Sequence, residues 1–264
     1  MKSNNRYIGA FMIAPFIIFV FLGGVFLKTF VFILSLLGMY EFYNAIKKAD
    51  FKPISIAGYL LLILYYIISN DFEKMMYILI LAFFLLMIIP IINLKFTFVD
   101  VSLTILGFMY AGILFSFVYL VNAKPYGNYL VFLIFIGSWL SDTAAYYAGK
   151  NFGEHKLCPK VSPKKTIEGS VGGLLGAMIF CGAFGIFVQS KVNIMPLYHY
   201  VIIGFLCGIF GQFGDLVASS IKRYSGIKDY SNLIPGHGGI LDRFDSIIYS
   251  AAVVFFYLLF IIGL

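Results

Sequence analysis

An all-α, polytopic integral membrane protein with about nine transmembrane helices is the fold class this sequence predicts, on three observations. Of its 264 residues 61% are hydrophobic and 30 are Phe, against an apolar share of about half in soluble domains. Runs close to the roughly 20 apolar residues that cross a hydrocarbon core of about 30 Å recur along the whole chain. The charged residues, only 12% of the total, gather in short connections and in two dense stretches near the C-terminus.

The first apolar run, Tyr7 to Tyr43, is longer than one span needs, and Gly23-Gly24 followed by Lys28 interrupts it. It reads as two helices joined by a tight turn. It is also read as retained in the membrane, because it lacks a clean small-residue cleavage site. The following spans are expected at Ile54 to Ser69, Met75 to Ile92, Val99 to Val121, Tyr129 to Gly149, Gly169 to Gln189, Tyr200 to Ile221 and Phe244 to Leu264. Residues 1–125 are then a block of N-terminal transmembrane helices and residues 126–264 a C-terminal transmembrane catalytic region.

Lys and Arg in short loops favour the cytoplasmic side. With nine spans and a cytoplasmic N-terminus, 15 of the 19 Lys and Arg fall on that side and only Lys28, Lys74, Lys124 and Lys191 on the other. The C-terminus is then extracytoplasmic, in an inner (plasma) membrane. Both rich polar stretches, Lys150 to Thr166 and Lys222 to Arg243, come out on the cytoplasmic face and can meet at one site. The net charge of +7 is scattered over loops, which suits membrane orientation and not nucleic acid. Cys158, Cys181 and Cys207 are odd in number and lack ligand spacing, so neither a disulfide framework nor a zinc site is expected. Gly172 with Gly176 and Gly204 with Gly208 have GxxxG spacing, read first as helix packing inside the chain and second as a dimer contact.

Chemistry is expected where ionisable groups stand in apolar sequence, because they are expensive there. Asp142 lies within the sixth span. Asp215 lies about two turns before Lys222, with Ser219 and Lys222 on its helical face. Asp242 and Asp245 open the last helix, where carboxylates suit the positive dipole end and can also present oxygens to a cation. Asp215 and Asp242 flank the polar loop 27 residues apart. Folding that loop back makes them the expected pair for Mg²⁺, which takes one or two carboxylates plus phosphates and water. Lys222, Arg223, Lys228 and Arg243 surround these acids. Ser162, Lys164, Lys165 and Thr166, just before a helix, form a phosphate cradle or a juxtamembrane lipid anchor. His237 stands among glycines that permit close approach to a ligand. These groups point to phosphoryl or nucleotidyl transfer to a lipid at a membrane surface.

The stretch Ser219-x-Ile221-Lys222-Arg223, then Lys228-Asp229-x-Ser231, then Ile234-Pro235-x-His237-Gly238-Gly239-Ile240-x-Asp242-Arg243-Phe244-Asp245 resembles the signature of the CDP-diacylglycerol synthase (phosphatidate cytidylyltransferase) family. The resemblance extends to Ser141-Asp142-Thr143, to Ser162-Pro163-Lys164-Lys165-Thr166-x-Glu168-Gly169 and to Tyr40-Glu41-Phe42. It implies transfer of CMP from CTP to phosphatidic acid, giving CDP-diacylglycerol and pyrophosphate in phospholipid biosynthesis. It implies catalytic roles for Asp142, Asp215, Lys222, Arg223, His237 and Asp242, with Asp215 and Asp242 on Mg²⁺, and leaves open a second, monovalent cation. Substrate contacts fall to Ser162, Lys164, Lys165, Thr166, Ser219, Lys228, Asp229, Arg243 and Asp245. The family is also associated with homodimers. A related kinase or cytidylyltransferase acting on another lipid, and a cation transporter using Asp142 and Asp215, are the competing readings.

Overall fold

The computed structural model describes residues 16–68, 72–234 and 236–264, and among them helix occupies every apolar stretch marked above. Residues 16–22 are helical and the chain breaks at Gly23, whose φ of 60° and ψ of −161° are open essentially to glycine alone. The Gly24 amide donates to Asn122 Oδ1 at 3.1 Å and closes the turn. The expected break is therefore where Gly23-Gly24 put it; the part of the first run before residue 16 lies outside the described residues.

Helix α1 spans Gly24–Lys48, α2 Ser55–Ile68 and α3 Phe72–Ile92. Next come α4, Phe98–Asn122, and α5, Gly127–Phe152; after a short hairpin come α6, Ile167–Gln189, α7, Leu197–Tyr224, and α8, Leu241–Ile262. Among the described residues six helices, α1 and α4 to α8, are long and apolar enough to cross a membrane. Helix α2 has 14 residues, about 21 Å at 1.5 Å per residue, which falls short of a full hydrocarbon core. The chain is thus an all-α, multi-pass membrane protein.

Short polar devices set the helix ends. Thr97 and Asp100 form a capping box at the start of α4, and Asp100 Oδ1 also accepts the Lys52 amide at 2.6 Å, tying the α1–α2 connection to it. Thr166 caps α6 by accepting the Gly169 amide at 3.1 Å. The segment read from sequence as a loop is a β-hairpin, with β1, Lys156–Cys158, antiparallel to β2, Ser162–Thr166. Glu168 holds its base by accepting the Glu154 and His155 amides, while the His155 ring contacts the carboxylate at 2.7 Å.

The glycine faces are used inside the chain. A Cβ at Gly172 would meet Ala148 and one at Gly176 would meet Ala144, so the first GxxxG face seats α6 on α5. A Cβ at Gly204 would overlap the Ala177 carbonyl, and one at Gly208 would press on Leu174, so the second seats α7 on α6. Backbone approach this close leaves no room for a side chain. Gly204→Val is therefore expected to lower stability by about 1–3 kcal/mol, read as a lower thermal midpoint in detergent; an unchanged midpoint would show that the α6–α7 contact does not depend on the missing Cβ.

Helix α8 runs through the middle of the bundle against α4, α5 and α7, and its Leu241, Ile248, Ala251 and Val254 are fully buried. That central position carries the start of α8, with Asp242 in its first turn and Asp245 just beyond, to where α5 and α7 converge.

Candidate active site

Two cavities open at this convergence. One, of about 400 Å³, is lined by Trp139, Asp142, Asp215, Lys222, Asp242, Arg243 and Asp245, with Phe244 and Ser246. The other, of about 380 Å³, is lined by Asp142, Lys150, Lys164, Lys165, Thr166, Ser170, Gln212 and Asp215, among others. They share Asp142 and Asp215. The two polar stretches meet there directly, since Lys165 Nζ on the hairpin lies 2.7 Å from Asp215 Oδ2 on α7.

Each carboxylate is oriented by neutral donors. Asp242 Oδ2 accepts the Tyr230 amide at 2.8 Å and the Gly239 amide at 3.0 Å, while Oδ1 faces Lys222 Nζ at 2.6 Å. Asp215 Oδ1 accepts from Ser219 Oγ at 3.3 Å, one helical turn on, while Oδ2 faces Lys165. Asp245 Oδ1 accepts the amide of Ser246 at 2.8 Å. Asp142 is reached by a hydroxyl chain: Ser138 Oγ donates to Ser246 Oγ at 2.9 Å, and Ser246 Oγ donates to Asp142 Oδ2 at 3.1 Å. Residues Ile136–Leu140 of α5 are a π-helical turn, a widening found frequently at functional sites. Ser138 lies in this turn, and it turns a hydroxyl toward α8 just before Asp142.

The helical spacing that put Lys222 on the face of Asp215 is overridden by tertiary placement: Lys222 bonds Asp242, and Asp215 takes Lys165 instead. Lys222 Nζ also lies 5.5 Å from the ring centre of Tyr230, a cation–π contact. Tyr230 is buried, which pushes its phenol up and keeps it neutral.

The Gly-His-Gly-Gly run has a physical reason. Gly236 and Gly238 have φ of 77° and 83°, left-handed values that glycine adopts at no steric cost. A Cβ at Gly238 would lie 2.9 Å from Asp242 Oδ2, and one at Gly239 would overlap the Glu41 carboxylate. The glycines let the loop wrap two acids.

Glu41 is the residue that reading the sequence for chemistry missed. It is wholly buried in α1 and accepts Ser231 Oγ at 2.6 Å, the Ile240 amide at 2.9 Å and the Leu241 amide at 2.8 Å. It therefore caps α8 from another helix and fixes both ends of the loop 231–240. The same rule that selected Asp142, a carboxylate in apolar surroundings, applies to Tyr40-Glu41-Phe42.

Of the remaining expected residues, Arg243 is exposed into the first cavity, and Lys164, Lys165 and Thr166 line the second. Ser219 stands beside Asp215. Arg223, Lys228 and Asp229 are exposed, Ser162 and His237 half-buried, and none of these five lines either cavity. Among the described residues no group of three acidic, His or Cys side chains stands in metal-holding position.

Carboxylates paired with lysine ammonium groups around two cavities, at the ends of apolar helices, suit the handling of phosphate-bearing groups at a membrane surface. Comparison with known sequences narrows the class: the profile of the cytidylyltransferase family matches residues 4–261, and the chain belongs to that family. It is 32% identical over 253 residues to the phosphatidate cytidylyltransferase of Bacillus subtilis, covering 92% of this chain and 93% of the relative. It is 35% identical over 233 residues to that of Staphylococcus haemolyticus, covering 86% and 88%. Against the Staphylococcus aureus enzyme the identity is 43% over 155 residues, covering 59% and 58%.

Proposed function

We propose that this membrane enzyme transfers the CMP moiety of CTP to phosphatidic acid, giving CDP-diacylglycerol and pyrophosphate for phospholipid biosynthesis. The observation that carries this reading is the junction of the two polar stretches at Lys165 and Asp215, with Asp142, Asp242 and Asp245 around the same cavity. A phosphate oxygen of phosphatidate attacks the α-phosphorus of CTP; a new P–O bond forms as the α–β bridging bond breaks, and pyrophosphate leaves. The nucleophile is already anionic, so no strong base is needed, and alignment with charge neutralisation suffices. Lys164, Lys165 and Thr166 hold the triphosphate, Lys222 and Arg243 hold phosphate oxygens in the neighbouring cavity, and the Ser138–Ser246 chain orients Asp142. Arg223, Lys228 and His237 line neither cavity and are given no contact to the substrates.

Magnesium fits the donor set. Asp215 and Asp242 each have one oxygen held by hydroxyl or amide donors and the other matched to a lysine ammonium, so a cation and the lysines compete for the same two oxygens. All-oxygen donors, few in number and completed by phosphates, are what Mg²⁺ prefers. When bound, the ion supplies charge stabilisation to the departing pyrophosphate. Asp142 and Asp245, in the same cavity, are the next candidates to present oxygens to a cation. The bacterial relatives support a plasma-membrane protein, and the charge split of the loops, taken over nine spans, supports a cytoplasmic N-terminus and active site with the C-terminus outside. In a homodimer, the second copy would seat on faces other than the two GxxxG faces, which α5, α6 and α7 already share.

Purified protein given CTP, Mg²⁺ and phosphatidic acid is expected to release pyrophosphate and form CDP-diacylglycerol in equal amounts. Absence of both, together with cation flux in proteoliposomes, would overturn the reading in favour of transport. Higher rates on another lipid phosphate would move the substrate.

A further inference from the structure

A third cavity, of about 330 Å³, lies between residues 16–22 and the first half of α5. Its walls are apolar side chains, among them Phe16, Val20, Phe132, Phe135 and Leu140, with Trp139 at one end. Trp139 also lines the carboxylate cavity, and Phe16 packs edge-on, at 5.1 Å between ring centres, against Phe244 of that same cavity. Polar cavity and apolar groove therefore share a wall at two places.

The direction of the groove matters as much as its lining. Phe132, Phe135, Ile136, Trp139 and Leu140 follow one face of α5 at helical spacing and lead from the turn before Asp142 back toward the Gly127 end of the helix. Eight residues of helix make about 12 Å. The groove thus descends from the charged mouth into the hydrocarbon. Its outer rim, Ile17 and Phe21, is 40% and 72% exposed, so it opens sideways. A volume above about 300 Å³ is in the range of ligand pockets.

We propose that this groove seats one acyl chain of the lipid substrate, with its phosphate in the cavity of Asp142, Lys222 and Arg243, an assignment that rests on the phosphatidate reading above. The nucleotide is left the lysine-lined cavity under the hairpin. Trp139 stands at the boundary, its ring packed on Phe135 and lining both the groove and the carboxylate cavity, the position an amphipathic ring favours between apolar and wet surroundings. A second, less apolar recess between α6 and α7, lined by Leu174, Phe213 and Gln212, is the competing seat.

Two measurements test the assignment. Ile17→Trp fills the groove from its exposed rim without overpacking the core. The KM for dioleoyl phosphatidate is expected to rise about tenfold, with the KM for CTP and the rate on dihexanoyl phosphatidate unchanged. Equal effects on long and short chains, or no effect on either, would overturn it. In the unmodified protein, phosphatidate carrying a mid-chain photoreactive group should label residues 16–21 and 132–140. Excess phosphatidate should suppress that labelling and phosphatidylcholine should not. Labelling around Leu174 and Phe213, or equal suppression by both lipids, would place the chain elsewhere or reduce the groove to a seat for bulk lipid. If no CDP-lipid forms from CTP at all, the functional reading fails, and the labelling still decides whether the groove binds phosphatidate.

Discussion

Asp215→Asn is expected to lower turnover by about 10³-fold while the protein still folds and elutes normally in detergent. Magnitudes separate the two effects. The Asp215 and Lys165 side chains are 32% and 24% exposed, and ion pairs with this much solvent contribute only about 0–1 kcal/mol. The substitution keeps shape and the Ser219 hydrogen bond, so the thermal midpoint should move little. Activity depends on more than the pair, because Asp215 is one of two acids common to both cavities, where nucleotide and lipid phosphates have to meet. A purely structural role for the Lys165 contact makes a different prediction: the thermal midpoint of Asp215→Asn would fall together with turnover, and adding Lys165→Met, which removes the orphaned ammonium, would restore that midpoint. We expect no such fall, and a weakened Mg²⁺ dependence in the single variant. Normal turnover in Asp215→Asn would remove Asp215 from the reaction centre.

Much of this was legible in the amino-acid order, for one physical reason. Charge is so unfavourable in apolar sequence that Asp142, Asp215, Asp242 and Asp245 stand out without any structure, and loop charges then bring the two polar stretches to one membrane face. Glycine was legible too: the break at Gly23-Gly24 and the close helix approaches at Gly172, Gly176 and Gly204 follow from the missing Cβ. Pairings across the fold were not. Lys222 sits on the Asp215 side of α7 by helical spacing yet bonds Asp242, since which carboxylate lies nearer depends on how α8 enters. The hairpin of β1 and β2 carries Pro159, Pro163 and four lysines, no strand-like alternation, and a base held by Glu168 on the next helix. Nothing local announces it. Glu41 lay outside the chemistry because its partners are about 190 to 200 residues away.

Glu41→Ala is expected to be the most damaging change outside the cavities. It leaves the Ile240 and Leu241 amides without their acceptor in a fully buried position, and Ser231 without its partner. Each buried donor left unmatched costs about 1–3 kcal/mol, and a negative group at the positive end of α8 is lost as well. A loss of about 3 kcal/mol or more follows, read as a fall in the thermal midpoint. The loop 231–240 should become cleavable by protease in the folded protein, because the same carboxylate ties both of its ends. Turnover should fall with it, since Gly239 holds Asp242 Oδ2 and the next two amides hold Glu41. Glu41→Gln retains one acceptor oxygen and should be intermediate. Ser231→Ala removes a single half-buried hydroxyl and should cost about 1 kcal/mol. The double variant Glu41→Ala with Ser231→Ala should then fall short of the sum, as partners in one network do. Additive losses, or a protease-resistant loop in Glu41→Ala, would mean that the helix α1 carboxylate packs beside the loop without holding it.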